Sequence, residues 1–140
     1  MRILILCTGN SCRSQMAHGL LQALNTRLQV FSAGTQPAER VHPMAVQVLQ
    51  EIGIDISQHT PTHVSRYLHQ EWDYVITVCG GANESCPAFM GKVMQRLHIG
   101  FADPSLVQGT EQERLTAFRH TRDEIQEQMQ HFHHLLASRL

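Results

Sequence analysis

Residues 2–17 read Arg2-Ile3-Leu4-Ile5-Leu6-Cys7-Thr8-Gly9-Asn10-Ser11-Cys12-Arg13-Ser14-Gln15-Met16-Ala17, and this stretch decides the fold. Residues 2–6 form a continuous apolar run, the pattern of a strand buried on both faces of a parallel sheet. From Arg13 the spacing turns helical, with Ala17, Leu20, Leu21 and Leu24 on one side. Between strand and helix stand a Cys, five residues and an Arg-Ser pair. A loop feeding a helix N-terminus aims several backbone N–H groups at one point and adds the positive end of the helix dipole, so a tetrahedral oxyanion would bind there. Gly9 would permit a tight turn or a positive φ, and Arg13 could grip two oxygens in a bidentate fork. A Cys facing those donors should titrate at roughly 3.5–7.5 rather than near about 8.5, with Ser14 able to donate to its thiolate. Cys7 is thereby a candidate nucleophile. The plain alternative is a buried Cys at a strand end with an Arg nearby by chance. The joint spacing of Cys, Gly and Arg-Ser between a strand and a helix argues against it.

Working outward, the elements alternate. Residues 28–32 read as a second strand ended by Ala33-Gly34. Residues 42–52 repeat the helical spacing with Ala45, Val48, Leu49 and Ile52, and Gly53 is a helix stop. Residues 62–70 suit a short helix, residues 73–78 a β-branched and aromatic strand, and residues 93–99 a fourth strand. A long helix is expected from about residue 111 to 137. Its core face would be Leu115, Phe118, Ile125, Met129, Phe132 and Leu136, interrupted by Arg122. The sequence therefore predicts an α/β fold: a single domain over residues 1–140 with a four-stranded parallel sheet and helices on both faces. Ligand sites in such sheets lie beyond the carboxyl ends of the strands. The loops after residues 6, 78 and 99 should then share one crevice, and they carry all four cysteines and Asp103.

Bulk properties narrow the function. A chain of 140 residues fits one hydrophobic core, and 42% apolar with 16% charged residues is ordinary for a globular protein. A net charge of −1 suggests neither nucleic acid nor a membrane surface as partner. No signal peptide or membrane-length apolar run is visible, so the expected compartment is the cytoplasm, where thiols stay reduced. There four cysteines point to metal binding or chemistry rather than to staples. Zinc pairs favour gaps of two to four; the gaps here are four (Cys7 to Cys12), at the limit of that range, and six (Cys79 to Cys86), outside it, and no metal is expected. His131, His133 and His134 read as a solvated helix end, and Trp72 as packing. Cys79-Gly80-Gly81-Ala82-Asn83-Glu84-Ser85-Cys86-Pro87 follows the third strand directly. Cys79 therefore ends its strand as Cys7 ends the first. A small, polar, Gly-containing loop carrying two thiols near a reactive thiol suits disulfide exchange better than packing.

The segment from Cys7 to Ala17 resembles the active-site loop of low-molecular-weight protein tyrosine phosphatases, and more closely that of the arsenate reductases sharing their fold. Ser32-Ala33-Gly34, Gly53-Ile54-Asp55-Ile56-Ser57 with His59-Thr60, and Asp103-Pro104 extend the resemblance over nearly the whole chain. It implies that Cys7 is the nucleophile and Arg13 the oxyanion clamp, in a loop of Thr8, Gly9, Asn10, Ser11, Cys12, Arg13 and Ser14. Asn10 would organise the loop, and Cys12 is not implied to be essential. Asp103 would be the general acid, although Asp-Pro alone is a common turn pair. The spacing of Cys79 and Cys86 resembles that of thioredoxin-coupled reductases. It implies a relay from Cys7 through a Cys7–Cys79 to a Cys79–Cys86 disulfide, reset by thioredoxin. The expected substrate is arsenate with phosphate as competing oxyanion, and a monomer with no cofactor is expected. The tyrosine phosphatases usually carry aromatic residues shortly after the Asp-Pro. Here Ser105-Leu106-Val107-Gln108-Gly109 follows, with no aromatic before Phe118. His18 stands where some reductases carry a carboxylate that helps bind potassium, while Asn10 and Ser32 remain as possible oxygen ligands and leave such a site open. A tyrosine phosphatase and an oxyanion or redox sensor are the alternative readings, and glutaredoxin the alternative reductant.

Overall fold

The computed structural model describes residues 1–80 and 88–138. The described residues form four strands, β1 (Arg2–Cys7), β2 (Gln29–Gly34), β3 (Trp72–Cys79) and β4 (Val93–Phe101), and three α-helices, α1 (Arg13–Leu24) after β1, α2 (Pro43–Gln50) after β2 and α3 (Glu111–Ala137) after β4. The strands form one parallel sheet in the order β2-β1-β3-β4. The continuous apolar run of β1 explains the layering, because successive side chains of a strand point to opposite faces and both must be buried. Ile3 and Ile5 join Val30, Tyr74, Ile76 and Val78 under the helices, while Leu4 and Leu6 pack with Ala33, Trp72, Val75 and Phe89 on the other side. Both faces are covered, but unequally. All three α-helices contribute to the first core, and among the described residues the second has only the single 3-10 turn Val64–Tyr67 against it.

That 3-10 turn is what becomes of the short helix expected over residues 62–70. The His63 ring accepts from the Ser65 N–H at its start, and Trp72 Nε1–H donates to the Tyr67 carbonyl at its end, 3.1 Å. The helix expected over 42–52 is shorter, because Gly53 takes φ +81° and the Ile54 N–H turns back to the Leu49 carbonyl at 3.0 Å. The long helix has the expected bounds and core face, with Thr121 added to it. A capping box between Thr110 and Glu113 starts that helix. Arg122, the polar interruption, does not enter the core: it hydrogen-bonds the Val48 carbonyl (2.9 Å) and Glu51 (2.8 Å) at the end of α2.

β1 and β3 are neighbours, while β2 and β4 lie outside them, so the chain's winding reverses between β1 and β3. That is where an open parallel sheet splays its loops apart and leaves a crevice.

Candidate active site

Cys7 ends β1 and Cys79 ends β3, both at the carboxyl edge beside this reversal. With Cys12 they belong to one packed cluster, and all three are buried. Cys7 and Cys12 are not in disulfides, whereas Cys79 is disulfide-bonded. Cys86 lies outside the described residues.

The loop from Cys7 to Ser14 is shaped by one residue in the left-handed region, and it is Asn10, φ 48°. The positive φ expected of Gly9 falls one position later. Asn tolerates this conformation because its short side chain can bond locally, and here that side chain makes three hydrogen bonds. Asn10 Nδ2 donates to Ser14 Oγ at 2.8 Å, and Asn10 Oδ1 accepts from Gln15 Nε2 at 3.1 Å and from the Thr62 N–H at 2.9 Å. Gln15 Nε2 also reaches the Asn10 carbonyl (3.2 Å), and Gln15 Oε1 meets His59 Nδ1 at 2.9 Å. His59 stacks on His18, whose Nδ1 meets Ser32 Oγ at 2.9 Å. Gln15, His59 and Thr62 are the site residues that sequence reasoning passed over. The first two sit inside the family motifs, but nothing local shows that they brace Asn10. Nor do these residues fit the potassium site of some reductases: His18 offers an imidazole tied to Ser32 in place of a carboxylate. Among the described residues no three His, Cys, Asp or Glu side chains converge as metal ligands.

The outer side of the loop is held by backbone. The carbonyls of Thr8, Gly9 and Ser11 accept from the N–H groups of Gln36, Ala38 and His42, each at 2.9 Å. Gly34 lets β2 approach: a Cβ there would lie 2.3 Å from the Thr8 carbonyl oxygen. Gly9 has room, its nearest neighbour being Ser11 Cβ at 3.9 Å. No side chain caps the start of α1, and its first turn has no acidic residue. An anion at this end therefore meets no competing carboxylate from the helix itself.

Arg13 is buried at 3% exposure and donates from Nη1 to the Phe101 carbonyl at 3.1 Å, which fixes the guanidinium at the end of β4. Its Nη2 faces Asp103 Oδ2 at 3.6 Å. Asp103 caps the 3-10 turn Pro104–Leu106. Burial acts to raise its carboxyl, but the hydrogen bonds from Ser105, the Arg13 charge and the Cys12 thiol outweigh that and hold it below the ordinary value. Cys12 donates to Asp103 Oδ1 at 3.5 Å. Burial first, then the Asp103 charge, pushes the Cys12 thiol up to about 12, so it stays a protonated donor. The topology thus brings Cys7, Cys12, Arg13, Cys79 and Asp103 to one edge of the sheet. Among the described residues no aromatic side chain follows Asp103 before Phe118. Tyr67 packs on Trp72 and Phe31, and Tyr74 on Phe132.

A parallel sheet with a Cys-to-Arg loop at the switch point defines a class, and comparison with known proteins gives the family. The low molecular weight phosphotyrosine protein phosphatase description matches residues 2–139, and the chain belongs to that family. Within it, the chain is 45% identical to an arsenate reductase of Halalkalibacterium halodurans and 44% identical to one of Bacillus subtilis, each over 93% of both chains. Among solved structures it resembles an arsenate reductase in the phosphate-binding state, with a TM-score of 0.73, 28% identity and coverage of 94% and 95% of the two chains. It also resembles a thioredoxin-dependent arsenate reductase of Corynebacterium glutamicum, with a TM-score of 0.55 and 29% identity, covering 92% of this chain and 61% of that one.

Proposed function

We propose that the chain is a cytoplasmic arsenate reductase that works as a monomeric single domain over residues 1–140 and draws its electrons from thioredoxin. The observation that carries this reading is Cys79. It is a second redox-competent sulfur at the end of the strand beside Cys7, packed in the same cluster and engaged in a disulfide while Cys7 and Cys12 are not. Hydrolysis of a phosphate ester has no use for it. The committed tyrosines and the missing aromatic wall weigh against an aryl phosphate in the same way.

Arsenate docks in the loop 8–14 against backbone N–H groups and the Arg13 fork, the place phosphate would also take. The Cys7 thiolate forms a sulfur–arsenic bond. One arsenic–oxygen bond breaks, and its oxygen leaves as water with a proton from Asp103. The Ser105 hydrogen bonds, with the Arg13 charge behind them, hold that carboxyl ionised. An oxyanion gripped by Arg13 competes for the guanidinium and brings negative charge beside the carboxyl, and both effects favour its protonation. Cys79 then attacks Cys7 sulfur. The sulfur–arsenic pair stays on arsenic, arsenite leaves and a Cys7–Cys79 disulfide remains. Cys86 attacks Cys79, freeing Cys7 and leaving a Cys79–Cys86 disulfide, which an external dithiol reduces. Two electrons are moved and one disulfide is made.

No helix among the described residues is long and apolar enough to cross a membrane, and the relay needs a compartment that keeps thiols reduced. The test follows NADPH oxidation with arsenate, thioredoxin and thioredoxin reductase, comparing wild type with Cys86→Ser. Sustained turnover that stops after one cycle in the variant is expected. A wild type without arsenate-dependent oxidation overturns the reading, and glutaredoxin and an aryl phosphate would be tried next.

A further inference from the structure

The two oxygens of Asp103 have unlike surroundings. Oδ1 accepts three donors: the Ser105 hydroxyl at 2.7 Å, the Ser105 N–H at 2.9 Å and the Cys12 thiol at 3.5 Å. Oδ2 has the Arg13 Nη2 at 3.6 Å. A carboxylate oxygen offers about two lone-pair directions, so three donors saturate Oδ1 and leave no direction along which it could hand a proton to a ligand. Oδ2 keeps its lone pairs on the side of the Arg13 fork, where an oxyanion would be gripped.

We propose that Ser105, assisted by Cys12, is a positioning residue that selects the reacting oxygen of Asp103, turning Oδ2 toward the leaving oxygen and holding Oδ1 out of the reaction. This rests on the reading of Asp103 as the general acid. In the step concerned, the proton on Oδ2 passes to the departing arsenate oxygen. That oxygen leaves as water with the arsenic–oxygen pair, and the carboxylate that remains keeps its Oδ1 bonds unchanged. Bonds already made before the transfer need no rearrangement during it. Besides Ser105, the charged and titratable groups facing this carboxyl are Arg13 from α1 and the Cys12 thiol from the loop; His42 at the start of α2 feels the Asp103 charge, but burial and Arg114 lower that imidazole overall. Ser105 adds the two hydrogen bonds that come from its own turn.

Removing the hydroxyl takes the shortest of the three donors from the charged form and leaves Oδ1 with the turn's backbone bond and the long, weak Cys12 thiol contact, which does not close its second direction. In Ser105→Ala the carboxyl of Asp103, followed by carbon-detected NMR on the reduced protein, should therefore titrate about one pH unit higher. Single-turnover arsenite release should slow about tenfold with the half-saturating arsenate concentration unchanged, and Ser105→Thr should restore both. Unchanged titration and rate in Ser105→Ala overturn the proposal. Asp103→Asn separates it from the reading beneath. If Asp103→Asn is slow but Ser105→Ala behaves as wild type, only the positioning role falls. If Asp103→Asn releases arsenite at the wild-type rate, the acid and the proposal fall together.

Discussion

His18 is buried against His59, and burial, reinforced by the His59 charge, pushes its pKa down from 6.5 to about 4. His59 is lowered in the same direction by its own burial. Between these pH values the unfolded chain binds the His18 proton and the folded one refuses it. Stability must therefore fall as pH drops from 6.5 toward 4, with no further loss from this group below that. The expected loss is on the order of 2 kcal/mol. Urea midpoints at pH 7 and pH 4.5 check it. His18→Gln should show a shallower fall, and a wild-type profile flat over this interval would refute the buried neutral imidazole. The same network makes Asn10 a braced residue. The loop conformation is held by Gln15 and His59 from beneath rather than by Gly9.

Between elements, the tightest approach at the site is that of β2 to the loop after β1. A methyl at Gly34 would sit 2.3 Å from the Thr8 carbonyl oxygen, a backbone atom that cannot swing aside. Gly34→Ala should cost about 2–3 kcal/mol and distort the loop from Cys7 to Ser14. Gly9→Ala, with open space and no positive φ, should change stability by less than about 0.5 kcal/mol. Thermal melts of the two variants decide it. Equal losses would mean that Gly9 is under a constraint the structure does not carry. Shared strand ends are thus paired by backbone clearance as much as by hydrogen bonds.

Across the molecule, α2 is the link between the site and the long helix. Its first turn meets the loop through the His42 N–H to Ser11 carbonyl bond at 2.9 Å, and His42 stacks on Phe118. Its last turn is tied to α3 by Arg119 and Arg122, both on Glu51, with Arg122 also on the Val48 carbonyl. Arg122 is 11% exposed, so its loss removes packed stem as well as charge-assisted bonds. Arg122→Ala is expected to lower stability by about 2 kcal/mol. Arg119→Ala, whose guanidinium pairs with Glu51 at 37% exposure, should cost clearly less than Arg122→Ala, because solvent screens an exposed pair. Denaturant titrations that rank them the other way would sink this account of why a charged residue interrupts the helix's core face.

What the sequence determined by itself is what neighbouring residues encode. The apolar run of β1, the Cys-to-Arg spacing before α1, the glycine after α2 and the period of α3 are local patterns, and each forms where its pattern stands. Their order implied a parallel sheet, and that in turn implied one edge for Cys7, Cys79 and Asp103. Tertiary structure alone decided the rest, because the partners are far apart in the chain. His59 meets Gln15 across 44 positions, Thr62 meets Asn10 across 52, and Cys12 meets Asp103 across 91. Side chains of ordinary type acquire roles there only when the strand order β2-β1-β3-β4 brings their elements together. The unequal cover of the two sheet faces and the anchoring of Arg122 arise the same way, from packing between elements that no short window of sequence contains.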